Sequence, residues 1–310
     1  MPDLAVVIVS WNVRDLLAAC LRSLFADLAR SDLQAQVWVV DNASADGTSE
    51  MVAETFPTVH LVVSQENLGF ARANNVALGA ILRNSQFAIR NLPYVWLLNP
   101  DTEVQPGATA ALLDFMERTP QAAVAGAKLL YADGSLQHSA FRFPGLTQLL
   151  FEFLPLPPRL YDTSLNGRYP RRLYESEVPF PVDHPLGAAM MVRREAIEQV
   201  GLLDEGFWMY CEEIDWCRRM HEAGWRAYCV PAARVIHHAG QSSGQILIPS
   251  FVNLWTSRAR LYARHHGPVT RRLARALVRA GMRRRMRDAA PKMVSACQQV
   301  IRAWEGVQCT

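Results

Sequence analysis

Carboxylates and imidazoles occur at three points in the sequence where their chemistry could be combined. These side chains are Asp101, Glu212, Glu213, Asp215, His237 and His238. Each group follows an apolar or aromatic run, and the aromatic run at 207–210 is a setting that can desolvate the carboxylates after it and make them more basic. Carboxylates and imidazoles are also common ligands of divalent metals. The residue types therefore indicate a metal site, a general base, or both.

Each of these groups also has a purely structural explanation. Asn99-Pro100-Asp101 is good turn chemistry, and on its own the turn is the favoured interpretation. Acidic residues such as those at 212–215 stabilise the first turn of a helix. A histidine at the end of a strand, such as His237 or His238, is commonly a core residue with satisfied nitrogens. The functional hypothesis therefore depends on whether these residues meet in space.

Four polar loops that follow apolar strands point to a nucleotide. The loops contain Ser10 and Asn12, residues 41–44, residues 66–69 and residues 99–101. Parallel strands collect such loops along one edge of a sheet, where open α/β folds bind ligands. Capping explains several of the loops individually. Together they favour a nucleotide site.

The usual phosphate-binding loops are missing from the sequence. It contains no GxxxxGK[ST] motif, and no GxGxxG follows the first strand. This argues against a P-loop nucleotide hydrolase and against a Rossmann dehydrogenase. A divalent metal held by a carboxylate and an imidazole can neutralise a nucleoside diphosphate instead, which would give Asp101 a role as a metal ligand.

Apolar runs and helical periodicity predict the elements that position these residues. Strands are predicted at 4–10, 37–41, 60–64 and 94–98, with helices at 14–30, up to about 56, and 70–83. This alternation predicts a doubly wound, mainly parallel α/β sheet.

The pattern becomes mixed after residue 105. A helix is predicted to about residue 118, and then a strand at 122–131. Residues 141–181 are rich in proline and aromatics and are predicted to form a long irregular loop. A strand and two helices follow within 186–224, and one or two strands within 226–238. We expect residues 1–105 and residues 106–248 to form two halves of one domain, and residues 249–310 a basic helical extension.

Composition is that of a globular protein. Half of the 310 residues are apolar, and no apolar run approaches the ~20 residues of a membrane span. The first twelve residues have no basic region or cleavage site of a secretory signal. Six cysteines without paired spacing fit reduced thiols. We therefore expect the protein to reside in the cytoplasm.

Basic charge is concentrated near the C-terminus. Residues 258–287 contain eleven arginines and no acidic residue. Arg272, Arg275, Arg279, Arg283 and Arg287 recur at helical spacing beside apolar rows, as in a helix that lies on an anionic membrane surface. A helix packed on the acidic body of the protein, or a homodimer contact, is the alternative. Nucleic acid is not expected as a partner, because no zinc-finger or aromatic-interleaved pattern accompanies the arginines.

Six segments in order carry a family resemblance. They are VVIVSWN, VVDNASADGT, ENLGFARANN, LLNPDTEV, LGAAMMVRREAIEQVGLLDEGFWMYCEEIDWCRRMHEAGW and VIHHAGQSS. Together they resemble the family 2 inverting glycosyltransferases of the GT-A fold, especially the bacterial rhamnosyltransferases of surface-polysaccharide synthesis. The resemblance covers about residues 4–245. It implies that residues 1–105 are a nucleotide-sugar-binding half and residues 106–248 an acceptor-binding and catalytic half of the same domain.

The resemblance implies a role for each motif. Residues implied to bind the nucleotide sugar are Ser10, Asn12, Asp41, Asn42, Asn67, Gly69, Arg72, Asn74 and Asn99. Asp101 is implied as the ligand of a divalent metal, Mg or Mn, with His237 preferred over His238 as the second ligand. Glu213 is implied as the general base, with Glu212 as the alternative and Asp215 beside them in the motif. Gly187 and Trp208 would shape the acceptor side.

The implied reaction is a single in-line displacement at the anomeric carbon. The donor would be a nucleotide-diphosphate sugar, with dTDP-rhamnose first and a UDP-hexose second. The acceptor would be a saccharide or a polyprenyl-diphosphate-linked saccharide, which would bring the protein to the inner face of the cell membrane. A nucleotidyltransferase and a non-catalytic carbohydrate-binding protein are the competing interpretations.

Overall fold

The structure, a computed structural model, describes residues 3–83, 92–154, 157–241 and 243–306. The strands are β1 (Leu4–Ser10), β2 (Ala35–Asp41), β3 (His60–Val63), β4 (Tyr94–Leu98), β5 (Thr102–Val104), β6 (Ala122–Leu130), β7 (Leu136–Gln137), β8 (Ala140–Phe141), β9 (Phe180–Val182), β10 (His184–Pro185), β11 (Ala189–Arg193) and β12 (Arg226–His237).

The α-helices alternate with these strands and then continue alone. They are α1 (Arg14–Arg30), α2 (Thr48–Thr55), α3 (Gly69–Arg83), α4 (Ala108–Arg118), α5 (Leu146–Phe151), α6 (Pro158–Tyr161), α7 (Arg171–Glu175), α8 (Arg194–Val200), α9 (Glu212–Glu222), α10 (Leu247–His265), α11 (Pro268–Arg285) and α12 (Pro291–Gly306). Short 3₁₀ helices occupy Ser164–Asn166, Ser243–Ile246 and Met286–Asp288.

One mixed sheet organises the molecule, in the order β3-β2-β1-β4-β11-β6-β12-β5. β1 lies between β2 and β4 and is parallel to both. The chain moves outward from β1 to β3 and then returns to the other side of β1 at β4. The loops after β1 and β4 therefore diverge and leave a crevice at their carboxyl ends, which is where open α/β sheets bind ligands.

The second half of the sheet departs from parallel order. β11 lies antiparallel between β4 and β6, while β12 runs parallel to β6. At the far edge β12 pairs antiparallel with β5, and this register sets His237 opposite Thr102. The end of β12 therefore lies beside the turn at 99–101, which follows β4.

The core lies on both faces of this sheet. β4 is buried throughout, with Trp96 facing the layer of α1, α2 and α4, and Leu97 facing the layer of α3, α8 and α9. This arrangement explains why its sequence lacks polar alternation. The predicted α/β sheet is confirmed, and the bounds predicted for β1, β4 and α1 agree with the structure. The domain boundaries at residues 105 and 248 stay predictions.

Residues 141–181 were expected to form a single irregular loop, and this expectation is wrong in part. The segment contains α5, α6 and α7. Tyr174 in α7 is fully buried and its hydroxyl accepts a hydrogen bond from the backbone N–H of Ala140. Helices of four to six residues carry too few turns to produce a readable apolar period, so only their tertiary contacts define them.

The C-terminal extension is a small helical bundle. α10, α11 and α12 pack with α5 around a separate core that includes Trp255, Val278 and Trp304. Arg260 of α10 binds Asp204 through Nη2, and Tyr262 donates to the backbone oxygen of Gly145 at 2.7 Å. Within the described residues, no helix is both long and apolar enough to cross a membrane.

The cysteines agree with the expectation of reduced thiols. Cys20, Cys211, Cys217, Cys229 and Cys297 are buried and not in disulfides. Cys309 lies outside the described residues.

Candidate active site

A cavity of about 240 Å³ opens at the carboxyl ends of the central strands. Its wall contains most of the residues expected to bind a donor, an acceptor or a metal, or to act as a base. These are Asn42, Asn67, Gly69, Asn99, Asp101, Gly187, Trp208, Glu212, Glu213 and His237. They lie far apart in the sequence, so the sheet topology is what brings them together.

Asn42 organises the loop before α3. Its Nδ2 donates to Asn67 Oδ1 at 2.9 Å and to the Gly69 carbonyl at 3.2 Å, and its Oδ1 accepts from the Leu68 N–H at 2.8 Å. Asn67 Oδ1 also accepts from the Gly69 N–H at 3.0 Å. One amide at the end of β2 therefore holds the start of α3 against the cavity.

Gly69 can be only a glycine in this arrangement. Its φ is +75°, and a Cβ there would lie 2.2 Å from the Trp208 carbonyl oxygen. The same oxygen accepts a hydrogen bond from the Phe70 N–H at 2.7 Å. Trp208, expected on the acceptor side, therefore lies directly against the loop at 67–70.

The other residues expected at the nucleotide, Ser10, Asn12, Asp41, Arg72 and Asn74, do not line this cavity. Asn12 and Asp41 brace the loop after β2: Asn12 Oδ1 accepts from the Ala45 N–H, and Asp41 accepts from the Ser44 N–H. Ser10 is fully buried, and Asn74 Nδ2 donates to the Phe70 carbonyl within α3. Arg72 lies on the surface in an ion pair with Glu66 at 3.3 Å.

Asp101 and His237 form a buried pair in the wall of the cavity. Asp101 Oδ1 lies 3.4 Å from His237 Nε2. His237 Nδ1 lies 2.9 Å from Gln137 Oε1, which can only accept, so Nδ1 is the donor in this contact and Nε2 is the nitrogen that faces Asp101. These two atoms have the chemistry and the orientation of metal ligands.

His238 points elsewhere. Its Nε2 lies 2.7 Å from Glu103 Oε1, and its backbone N–H donates to the Asp101 carbonyl. Within the described residues, no cluster of three or more His, Cys, Asp or Glu is arranged to hold a metal. Asp101 and His237 therefore offer two protein ligands, which is compatible with an ion whose other ligands come from a bound diphosphate and water.

Glu212 and Glu213 begin α9 after a strained turn. Tyr210 and Cys211 both adopt the left-handed conformation, with φ of 71° and 69°, which is costly for non-glycine residues. This turn presents both carboxyl groups to the cavity, where they are only 5% and 8% exposed. Among the described residues, the Oε2 atom of each has no hydrogen-bond partner.

The environment of the two glutamates makes them unusually basic. Burial, reinforced by the charge of Glu213, raises the pKa of Glu212 well above its usual value. Burial raises the pKa of Glu213 to about 7. A base with a pKa near neutrality combines availability at physiological pH with a strong tendency to accept a proton.

Asp215 does not reach the cavity, contrary to its expected place among the catalytic residues. Its side chain is fully buried, with Oδ2 at 2.8 Å from Arg219 Nε and Oδ1 at 2.8 Å from His265 Nε2. Burial favours the neutral acid, but the hydrogen bonds from His265 and Arg219 outweigh it and hold the pKa of Asp215 below its usual value. Asp215 therefore ties α9 to α10.

A second cavity of about 330 Å³ adjoins the first, and sequence reasoning did not find it. Glu213 lines both cavities, whereas Glu212, Asp101 and His237 line only the first. Gly187 lies against Glu213, since a Cβ at Gly187 would be 3.6 Å from that of Glu213. Gln137 was also missed, because no local pattern around it distinguishes a ligand-orienting residue from a surface amide.

Residues 5–201 match the family model described as "Glycosyl transferase family 2". The chain belongs to glycosyl transferase family 2. This family 2 chain is 35% identical over 218 residues to the N-acetylglucosaminyl-diphospho-decaprenol L-rhamnosyltransferase of Mycobacterium tuberculosis. That similarity covers 67% of the family 2 chain and 68% of the relative.

Two solved structures share the fold with this family 2 member. One is GalNAc-T7 with UDP, GalNAc and Mn²⁺, with a TM-score of 0.56, 18% identity, and coverage of 75% of this chain and 42% of that chain. The other is the mannosyltransferase PcManGT from Pyrobaculum calidifontis in complex with GDP-Man and Mn²⁺, with a TM-score of 0.52, 17% identity, and coverage of 97% and 70%. At these identities the similarity establishes the fold.

Proposed function

We propose that this family 2 chain is an inverting glycosyltransferase that moves L-rhamnose from dTDP-rhamnose to a saccharide or a polyprenyl-diphosphate-linked saccharide in surface-polysaccharide synthesis. The observation that carries the reaction type is the position of Glu213. It is the basic carboxylate that lines both cavities, while Asp101 and His237 line only the first. The sugar rests on the relative named as an L-rhamnosyltransferase.

The first cavity is the donor site in this proposal. Asn42 fixes the loop at 67–69, which offers amide groups to the nucleotide, and Asn99 adds a neutral amide beside Asp101. Asp101 Oδ1 and His237 Nε2 would hold Mg²⁺ or Mn²⁺, which when bound neutralises charge on the departing diphosphate. The relatives in fold with bound Mn²⁺ support this assignment.

Glu213 is the base. It takes the proton from an acceptor hydroxyl as that oxygen bonds to the anomeric carbon of the donor sugar, and the bond from that carbon to the diphosphate oxygen breaks. Because the acceptor oxygen enters from the side of Glu213 and the diphosphate leaves from the side of Asp101, the configuration at the carbon inverts. Glu212 lies next to it, and burial together with the charge of Glu213 raises the pKa of the Glu212 carboxyl well above its usual value.

The exposed face of α11 is the membrane contact in this proposal. Val278 and Met282 belong to the apolar rows that accompany the arginines in the sequence, and they pack into the bundle core and not towards a membrane. Val269 and Leu273 remain 69% and 50% exposed. Exposed arginines share their side of the helix at spacings of three and four, which suits an anionic lipid surface at the inner face of the membrane.

A donor and product assay tests the reaction. The purified protein is incubated with dTDP-rhamnose, UDP-hexoses and GDP-mannose, with Mg²⁺ or Mn²⁺ and a decyl-diphospho-N-acetylglucosamine acceptor. We expect transfer from dTDP-rhamnose alone, and a product whose anomeric configuration by NMR is opposite to that of the donor. Retention of configuration would contradict the proposed mechanism, and transfer from a UDP-hexose alone would contradict the proposed donor.

A further inference from the structure

The second cavity lies between the domain and the C-terminal bundle. Its wall includes residues of the segment at 141–168, the first turn of α9, and Leu254, Arg258 and Tyr262 of α10. Glu213, Leu186 and Tyr210 belong to the walls of both cavities. A ligand in the second cavity can therefore approach Glu213 from the side opposite the donor.

The wall of the second cavity contains more basic than acidic side chains. Arg142, Arg168 and Arg258 line it, and the acidic residues in the same wall are Glu152 and Glu213. Arg258 Nη2 binds Glu152 at 2.8 Å, and Arg168 is paired with Asp162, which is outside the wall. These pairs account for two of the three arginines and leave Arg142 without a carboxylate partner among the described residues.

Two of these arginines have donors to spare. Arg258 Nη1 is buried and has no hydrogen-bond partner within the described part of the chain. The guanidinium of Arg142 lies 5.9 Å from the centre of the Tyr169 ring, and among the described residues no carboxylate pairs with it. Unused guanidinium donors in a partly buried wall are a recognition site for a planar or tetrahedral oxyanion, which they bind in a fork geometry.

We infer that the second cavity is the acceptor site and that Arg142 and Arg258 bind the diphosphate of an acceptor in which the sugar is linked through that diphosphate to a lipid. This inference rests on the proposed function and selects one of its two acceptor classes. The diphosphate on the arginines would leave the sugar towards Glu213, which lies at the boundary between the cavities. Because α10 supplies Arg258, the acceptor site is incomplete without the C-terminal bundle.

Binding without turnover tests the inference. Two probes are titrated calorimetrically into the full chain in chelator-treated buffer without donor: decyl-diphospho-N-acetylglucosamine and the uncharged decyl N-acetylglucosaminide. We expect the diphosphate probe to bind at least about ten-fold more tightly, because bidentate guanidinium contacts to phosphate are strong. Arg142→Gln should remove that advantage and leave binding of the uncharged probe unchanged.

Matched variants separate anion recognition from general damage. Arg118→Gln removes an exposed arginine of α4 that lines neither cavity, and should bind both probes as the wild type does. Arg258→Gln should act like Arg142→Gln. Arg258 also lies 4.9 Å from the centre of the Trp255 ring, so the folding of Arg258→Gln is checked first by thermal melting. If Arg258→Gln does not fold, the result for Arg142→Gln alone decides.

Three results would overturn the inference: wild-type affinity of Arg142→Gln for the diphosphate probe, an equal loss for both probes, or tighter binding of a decyl glucuronide than of the diphosphate. The last result would assign the cavity to a carboxylate. None of these measurements needs sugar transfer, so a failure of the proposed function would be seen separately in the donor and product assay.

Discussion

At the residue scale, the two neighbouring glutamates differ in what they can reach. Both are buried and basic, but Glu213 alone lies at the boundary of the two cavities. A general base must contact the acceptor hydroxyl, and a hydroxyl in the second cavity is accessible to Glu213 and not to Glu212. Glu212 and Glu213 are therefore similar in burial but differ in which cavity their carboxyl groups reach.

Glu213→Gln should abolish transfer and leave donor binding intact. The amide is nearly isosteric but cannot accept the proton, so we expect kcat to fall about 100-fold or more. Donor affinity, measured by calorimetry, should change little. Glu212→Gln is the matched control and should keep more activity, so the reverse order of the two variants would assign the base to Glu212.

The rate should depend on pH through the ionisation of Glu213. Burial raises the pKa of Glu213 to about 7, and only the ionised form accepts a proton. We therefore expect kcat/KM to rise about ten-fold per unit as pH increases towards 7, and to level off above it. A profile that is flat between about pH 5.5 and 8.5 would be inconsistent with this base.

The two adjacent histidines should behave differently. His237→Ala removes the imidazole beside Asp101, so the metal concentration for half-maximal activity should rise about ten-fold or more, the order of effect seen for weaker perturbations of metal shells. His238→Ala removes a contact to Glu103 outside the cavity and should leave this concentration unchanged. A metal titration of both variants, with thermal melts to confirm folding, makes the comparison. An equal change in the metal requirement of the two variants would contradict the assignment of His237 as the metal ligand.

At the element scale, the contact between the start of α3 and the turn before α9 connects the two halves of the site. The Phe70 N–H donates to the Trp208 carbonyl, and Gly69 allows the approach. The loop expected to bind the donor is therefore supported by the segment that carries Glu213. Asp215 performs a similar task on the other side of α9, where it binds His265 of α10.

Gly69→Ala should be far more disruptive than an equivalent change elsewhere. Gly134 has a similar φ of +81°, but a Cβ there would meet nothing within 4 Å. Gly134→Ala should therefore cost only about 1 kcal/mol in the free energy of unfolding, for the left-handed backbone. Gly69→Ala adds a 2.2 Å approach to the Trp208 carbonyl oxygen, and we expect about 1–3 kcal/mol more, with weaker donor binding. Similar denaturation midpoints for the two variants would show that this contact relaxes easily.

At the scale of the whole molecule, the C-terminal bundle has two faces of different chemistry. Its inner face supplies α10 to the second cavity and to Asp215, and its outer face carries the exposed arginines of α11. A lipid-linked acceptor would need both, because its lipid must remain in the membrane while its sugar reaches Glu213.

Vesicle sedimentation tests the outer face. The full chain should bind vesicles rich in anionic lipid, and added salt should weaken the binding. Each arginine near such a surface is worth about 1 kcal/mol, so the triple variant Arg272→Gln, Arg279→Gln and Arg283→Gln should lose most of the affinity. The control variant Arg22→Gln, Arg30→Gln and Arg118→Gln neutralises three exposed arginines of α1 and α4 and should bind normally. Equal binding to neutral vesicles would return α11 to a structural or dimer-forming role.

The sequence by itself determined the features that depend on local pattern. The apolar run at 94–98 predicts β4, because a strand covered on both faces has no polar positions. Asp101 follows from the same logic, since a residue just after a central strand lies on the edge of the sheet that binds ligands. The family resemblance added the roles expected for Glu213 and His237.

The tertiary structure alone decided where side chains point and what they meet. His237 and His238 are adjacent and have the same side chain. What distinguishes them is their hydrogen-bond partners, Gln137 for His237 and Glu103 for His238, each at least 100 positions away in the sequence. Asp215 shares the acidic turn with Glu213 but is turned towards His265 of α10. The second cavity is assembled from segments that are irregular or distant in sequence. Secondary structure follows from periodicities over a few residues, whereas partners of a side chain come from the packing of distant elements, which no local pattern encodes.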